Sequence, residues 1–321
     1  MDPERPGHRW RRNGRHVRTH HRIRRRGRQQ AGDAHLPVLN VRQSPQNTAP
    51  HNPVWGLMLI RLYHCPMQSA NTDIVLAMKG KVALVTGVGR KRGIGAAICQ
   101  ELAKNGADVF FTYWHQYDLG SYAAEDLIKP EEFANELRSF GVRAASLEVD
   151  LFKPDSAEKV FEAVKKELGA PDILINNAAV STHQLFLEVT ADLLDKHYAV
   201  NVRATTLLCK EFAKQGRQGK IINLTSGQAL GVMKDELPYT ITKASVEMLT
   251  QQIAPELSSM GITINAFDPG PTDTGWMTDE VKEAIRKDSP SGTIHTPEDV
   301  AKQICNLLKS TEIGQIIHAE R

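Results

Sequence analysis

From Val82 to His318 the chain alternates short apolar runs with longer segments whose apolar residues recur at helical spacing. Ile94, Ile98 and Leu102 fall on one helical face, and Val160, Val164 and Leu168 repeat that pattern. The spacing predicts strands over residues 82–86, 109–112, 144–149, 173–175, 220–224, 263–267 and 315–318. Helices are predicted over 94–104, 131–140, 158–168, 191–214, 239–260, 279–286 and 297–308. Apolar strands separated by helices of this length are joined by right-handed crossovers, which give a parallel sheet covered on both faces. The expected fold class is α/β, a doubly wound parallel sheet (Rossmann fold).

The charge pattern places a boundary ahead of this alternation. Residues 1–78 hold 13 arginines, no lysine, four acidic residues and seven of the 12 histidines. Lysine first occurs at Lys79, and from there 27 basic residues face 33 acidic ones. The expected organisation is an Arg-rich, disordered extension over 1–78 and a single Rossmann-fold oxidoreductase domain over 79–321. The Arg-rich runs at 9–12 and 22–28 also admit a basic arm for nucleic acid or a targeting sequence. Against nucleic acid, no aromatic platform is interleaved with the arginines; against targeting, no clean amphipathic helix is visible. Nucleic acid is therefore not an expected partner.

Composition narrows the function classes. With 41% hydrophobic and 24% charged residues, a packed core is attainable and wholesale disorder is excluded. No apolar run approaches the roughly 20 residues of a membrane helix. The four cysteines are scattered without a CxxC pair, which argues against a disulfide scaffold or a zinc site and fits a reducing compartment, the cytoplasm. No metal is expected.

Three motifs carry chemistry. Thr86-Gly87-Val88-Gly89-Arg90-Lys91-Arg92-Gly93-Ile94-Gly95 lies between the first strand and the first helix. Glycines there let backbone approach a pyrophosphate, whose charge sits on the free N–H groups of a helix start. Asp150 ends the third strand, where a carboxylate can accept from an adenine amino group, and Asn176-Asn177-Ala178-Ala179 ends the fourth. Open α/β sheets bind ligands at such strand ends. Finally, Ser226 ends the fifth strand, Tyr239 follows thirteen residues later, and Lys243 lies one helical turn beyond it. A phenol with a pKa near 10 needs a neighbouring cation to exchange protons near neutrality, and a serine hydroxyl can hold a carbonyl oxygen.

In this order, the motifs resemble the short-chain dehydrogenase/reductase family, over about three quarters of the chain. The resemblance is strongest to its 3-oxoacyl-(acyl-carrier-protein) reductase-like branch. It implies Tyr239 as catalytic acid/base, Lys243 as its pKa-lowering and ribose-binding partner, and Ser226 as the residue holding the carbonyl. Asn201 matches the family's fourth active-site residue, which supports a water-linked proton relay. Pro269, Gly270 and Thr274 match a segment that closes over the nicotinamide. Gly87, Arg92, Gly93, Ile94, Gly95, Asp150, Asn177 and Ala178 would hold the dinucleotide with Tyr239 and Lys243.

The implied activity is hydride transfer between NADP(H) and a carbonyl/alcohol pair, with 3-oxoacyl thioesters as one candidate class. The assembly implied is a homodimer or homotetramer. NADP is expected over NAD because Tyr113, not an aspartate, ends the second strand, while Arg90, Lys91 and Arg92 crowd the glycine loop. The alternative is a non-catalytic dinucleotide-sensing or scaffold protein on the same fold. Two departures stand out. Ala179 stands where the family's Asn-Asn-Ala-Gly has its glycine, and the glycine loop is two residues longer than the family pattern between Gly87 and Gly93, as in bacterial enoyl reductases. Those enzymes use Tyr-x6-Lys, and here that position is Val246.

Overall fold

The computed structural model describes residues 78–227, 232–288 and 292–319. Seven parallel strands form one sheet in the order β3-β2-β1-β4-β5-β6-β7. They are β1 (Val82–Val85), β2 (Asp108–Tyr113), β3 (Ala144–Glu148), β4 (Ile173–Asn176), β5 (Gly219–Leu224), β6 (Ile262–Asp268) and β7 (Ile316–His318). Strand order reverses between β1 and β4, so the sheet has its switch point there. The doubly wound expectation holds.

Alternation along each strand builds two cores. Ala83, Val85, Val109 and Phe111 pack against α1 (Ile94–Lys104), α3 (Pro130–Arg138) and α9 (Pro297–Leu307). Val82, Leu84 and Phe110 face the other way, onto α4 (Ser156–Glu167), α6 (Thr205–Ala213) and α7 (Leu237–Ser259). Successive strand side chains point to opposite faces, which is why such unbroken apolar runs serve both layers. Met78 is buried in the first core. The reading of residues 1–77 lies outside the described residues.

One expectation is corrected, and one connection carries elements not predicted. The single helix expected over 191–214 is α5 (Ala191–His197), a π-helical turn (Tyr198–Ala204) and α6. The wider turn contains Asn201, whose side chain is tied to neighbouring segments rather than left on a helix surface. The link between β2 and α3 is also not a plain loop. It carries α2 (His115–Ser121) and a short 3-10 turn (Ala124–Asp126), a stretch whose apolar residues show no period. The remaining helix, α8 (Asp279–Asp288), falls where expected. No helix among the described residues is long and apolar enough to cross a membrane.

Candidate active site

A cleft of about 1410 Å³ opens at the carboxyl ends of the strands. Of the residues singled out by sequence, Gly87, Gly93, Ile94, Gly95, Asp150, Asn177, Ala178, Ser226, Tyr239, Pro269, Gly270 and Thr274 line it. Lys243, Asn201 and Arg92 do not form its wall, and each is accounted for below.

The glycine loop is held from beneath. The Thr86 hydroxyl accepts from the Asn177 and Ala178 amides at 3.1 Å each. The Asn177 side chain donates to the carbonyls of Thr86 and Gly87 at 2.8 and 2.9 Å. Gly87 has φ +72°, and a Cβ there would lie 2.5 Å from the Ala178 Cα. Both facts demand glycine. Beyond the loop, α1 begins at Gly93 with no side-chain cap and no acidic residue in its first turn. By contrast, α9 is capped by Thr296 and carries Glu298 and Asp299. The start of α1 thus keeps uncompensated N–H donors and positive dipole, a donor set suited to a diphosphate. Asp150 accepts from the Phe152 amide at 2.9 Å, so one carboxylate oxygen shapes its own turn.

The corner formed by Ser226, Tyr239 and Lys243 sits two strands away. Tyr239 lies in the first turn of α7, and the Ser226 side chain, just past β5, sits beside its hydroxyl and lowers its proton affinity. Lys243 is 4% exposed; its Nζ lies 5.6 Å from the Tyr239 ring centroid and donates to the Leu224 carbonyl at 2.7 Å. Burial depresses its pKa to about 8. Burial raises the proton affinity of Tyr239, and Ser226 only partly opposes this. The Lys243 ammonium is turned to the Leu224 carbonyl. The phenol stays protonated, the form that donates to a carbonyl oxygen.

Asn201 backs this corner. Its Oδ1 accepts from the Val180 amide at 2.7 Å, and its Nδ2 donates to the Val180 carbonyl and the Thr242 hydroxyl, both at 2.9 Å. Thr242 in turn donates to the Tyr239 carbonyl at 2.7 Å. The π turn, the β4 loop and the start of α7 are thereby one hydrogen-bonded unit.

Sequence reasoning missed several supports. Asp268 ends β6, is 1% exposed, and accepts from the Gly270 amide at 2.9 Å; His318 Nδ1 lies 2.8 Å from its other oxygen. Its place directly before Pro269 was the available signal. Asp126 receives Arg92 Nε at 3.3 Å and lies 3.6 Å from Arg90 Nη1. Arg90 also donates to the carbonyl and hydroxyl of Thr274, both at 3.2 Å, and stacks 3.9 Å from the Tyr122 ring centroid. Nothing local foretold this arrangement.

A family model described as Enoyl-(Acyl carrier protein) reductase matches residues 87–319. The curated relatives include 3-oxoacyl-(acyl-carrier-protein) reductase FabG of Aquifex aeolicus (strain VF5), 32% identical over 253 residues, covering 76% of this chain and 97% of that one. The chain belongs to the short-chain dehydrogenase/reductase family. This short-chain dehydrogenase/reductase is also similar to Uncharacterized oxidoreductase YjdA of Bacillus subtilis (strain 168), 42% identical over 249 residues, 75% of this chain and 95% of the relative. Among solved structures, a short chain dehydrogenase from Burkholderia cenocepacia J2315 in complex with NADP superposes with TM-score 0.67 at 29% identity, over 76% of this chain and 97% of that one. Family membership makes this protein an oxidoreductase.

Proposed function

We propose that the protein is an NADP(H)-dependent reductase of carbonyl compounds, with Tyr239 as the proton donor. The observation that carries the reading is that Ser226 and Tyr239 lie side by side on a cleft also lined by the glycine loop, with Lys243 buried behind the Tyr239 ring. A dinucleotide held through its diphosphate at the glycine loop would supply the hydride from its nicotinamide. Ser226 then holds the carbonyl oxygen as charge develops on it, and Tyr239 delivers the proton. Lys243 stabilises the phenolate left behind, and the Asn201–Thr242 contacts keep the start of α7 in place. In the reverse direction the same groups accept the proton from an alcohol.

NADP over NAD is supported by the absence of an acidic residue at Tyr113 and by Arg92 beside Gly93. The superposed Burkholderia structure holds NADP, and a relative from Arabidopsis thaliana is named an NADPH-dependent aldehyde reductase-like protein. The FabG relatives make 3-oxoacyl thioesters the first substrate class to try. Assembly as at least a homodimer is supported by Tyr198 and Met248, exposed on the π turn and α7. Leu208, by contrast, faces the sheet and adds nothing to that surface. The three described cysteines are unpaired and buried, which suits the cytoplasm. The test is oxidation of NADPH and NADH across acetoacetyl thioesters, diketones, aldehydes and quinones. Turnover confined to NADPH with a carbonyl acceptor is expected; inactivity across the whole panel overturns the reading.

A further inference from the structure

No motif accounts for the connection between β2 and α3, yet it walls much of the cleft. Three contacts set its path. Asp118 packs on Gly89 so closely that a Cβ there would meet its Oδ2 at 1.9 Å. Tyr122 lies under the Arg90 guanidinium. Further across, the Tyr117 hydroxyl accepts from the Ser181 amide at 3.4 Å, and Lys196 Nζ lies 6.0 Å from its ring centroid. Helix α2 therefore runs from the glycine loop toward the β4 loop and brings Tyr117 to the catalytic end.

There Tyr117 lines the same cleft as Ser226 and Tyr239. The two phenols are near enough that Tyr117 is among the groups raising the proton affinity of Tyr239. Burial raises that of Tyr117 as well, so its hydroxyl keeps its proton. The Ser181 amide donates to the Tyr117 oxygen, so the phenol's own proton is what it can offer a ligand.

We infer that Tyr117 is a specificity-determining residue that donates to a second oxygen of the substrate, beside the carbonyl held by Ser226 and Tyr239. This rests on the carbonyl-reductase reading of that corner. Ser181 and Ser226 follow β4 and β5, which are paired neighbours, and such strands lie about 4.8 Å apart. Tyr117, held from α2 against the first of those segments by the Ser181 amide, and Ser226 on the second suit oxygens separated by a few bonds, as in a 1,3-dicarbonyl. A monocarbonyl of equal length leaves the Tyr117 proton facing apolar chain, which the site disfavours.

The test compares kcat/KM for 2,4-pentanedione and 2-pentanone in the wild type and in Tyr117→Phe, which keeps the ring and its contact with Lys196. The dione-to-ketone ratio should fall tenfold or more while the ketone value stays within about twofold. Tyr117→His, which retains a ring donor, should keep part of the preference and serves if the Phe variant fails to fold. A parallel fall for both substrates, or no change in the ratio, overturns the inference. A wild-type chain that reduces neither compound but turns over another member of the carbonyl panel overturns this inference alone; inactivity on both compounds and on that whole panel overturns the reductase reading as well.

Discussion

At the catalytic corner, Tyr239 and Lys243 share one helical face and Ser226 follows a strand by two residues. At the glycine loop, Arg90 and Arg92 are held by Asp126 on the β2–α3 connection, and Arg90 reaches Thr274, 184 residues away. In the first region the spacing of the key residues follows from local helix and strand geometry, with Leu224 and Asn201 holding them from behind. The second is organised by partners that only the folded chain brings together. Substitutions at the corner should therefore act on chemistry with little effect on nucleotide binding. Those at the loop should divide according to how many remote partners each side chain holds.

The largest effect is expected at Tyr239. Tyr239→Phe removes the transferable proton and leaves the backbone and Lys243 in place, so kcat should drop by roughly 100-fold or more. Dinucleotide affinity, read by fluorescence titration, should stay within about twofold. Reduction at more than about a tenth of the wild-type rate would take the phenol out of its role.

Lys243 sharpens the comparison because its function opposes stability. Its pKa is about 8 in the folded chain against an ordinary 10.5, so the buried ammonium is disfavoured. Below pH 8 both states carry the proton, and the folded state bears the full burial cost. Between pH 8 and 10.5 the unfolded chain holds more protons, so stability rises with pH; above 10.5 the cost is gone. Lys243→Met should abolish turnover yet stabilise the fold at pH 7 by about 2 kcal/mol. That is the burial cost of about 3 kcal/mol less about 1 kcal/mol for the lost Leu224 bond. Denaturant melts at pH 7 and pH 10.5 measure the difference, and an advantage that does not shrink with pH would contradict this account.

The same contrast explains what could be read from sequence. Strand and helix order was legible because apolar periodicity reports burial directly, as at Val82–Val85 and Ile94–Lys104. Ser226, Tyr239 and Lys243 were legible because strand ends and one-turn spacings need no tertiary information. Helix α2 was not, since Trp114, Tyr117, Asp118 and Tyr122 face a ligand cleft rather than a core and show no hydrophobic period. The lengthened glycine loop was visible, but its reason was not. The Lys91 amide bonds to the Asp126 carbonyl at 2.7 Å, and Gly89 accepts from the Ile128 amide at 2.9 Å, so the extra residues dock onto that same connection. The π turn was also hidden, because it is imposed by the Asn201 contacts with Val180 and Thr242 and not by residue preference.

Within the loop, Arg90 should matter more than Arg92 for structure. Arg90 is 16% exposed, is paired with a buried Asp126, and carries the Thr274 contacts and the Tyr122 stack. Arg90→Ala strips those partners and should cost on the order of 2 kcal/mol of stability. Because it unlatches the Thr274 segment from the glycine loop, the Michaelis constants for NADPH and NADH should rise together. A rise for NADPH alone would move the phosphate contact to Arg90.

The smallest effect, and the most selective, is expected at Arg92. Its side chain is 63% exposed and its recorded ion-pair partner, Asp126, also holds Arg90, so Arg92→Ala should change stability by no more than about 0.5 kcal/mol. Under the proposed NADP reading, its value lies in the cofactor. A guanidinium can swing from one carboxylate to a 2′-phosphate and bind it with paired, charge-assisted bonds, which a bare ribose cannot return. Arg92→Ala should raise the NADPH Michaelis constant roughly tenfold, about 1.4 kcal/mol, and leave NADH nearly unchanged. Asp126→Asn gives the converse control: with its competitor for the guanidinium neutralised, Arg92 should favour NADPH at least as strongly as in the wild type. Equal losses for the two nucleotides in Arg92→Ala would mean that Arg92 only shapes the loop, and the NADP preference would then need another source.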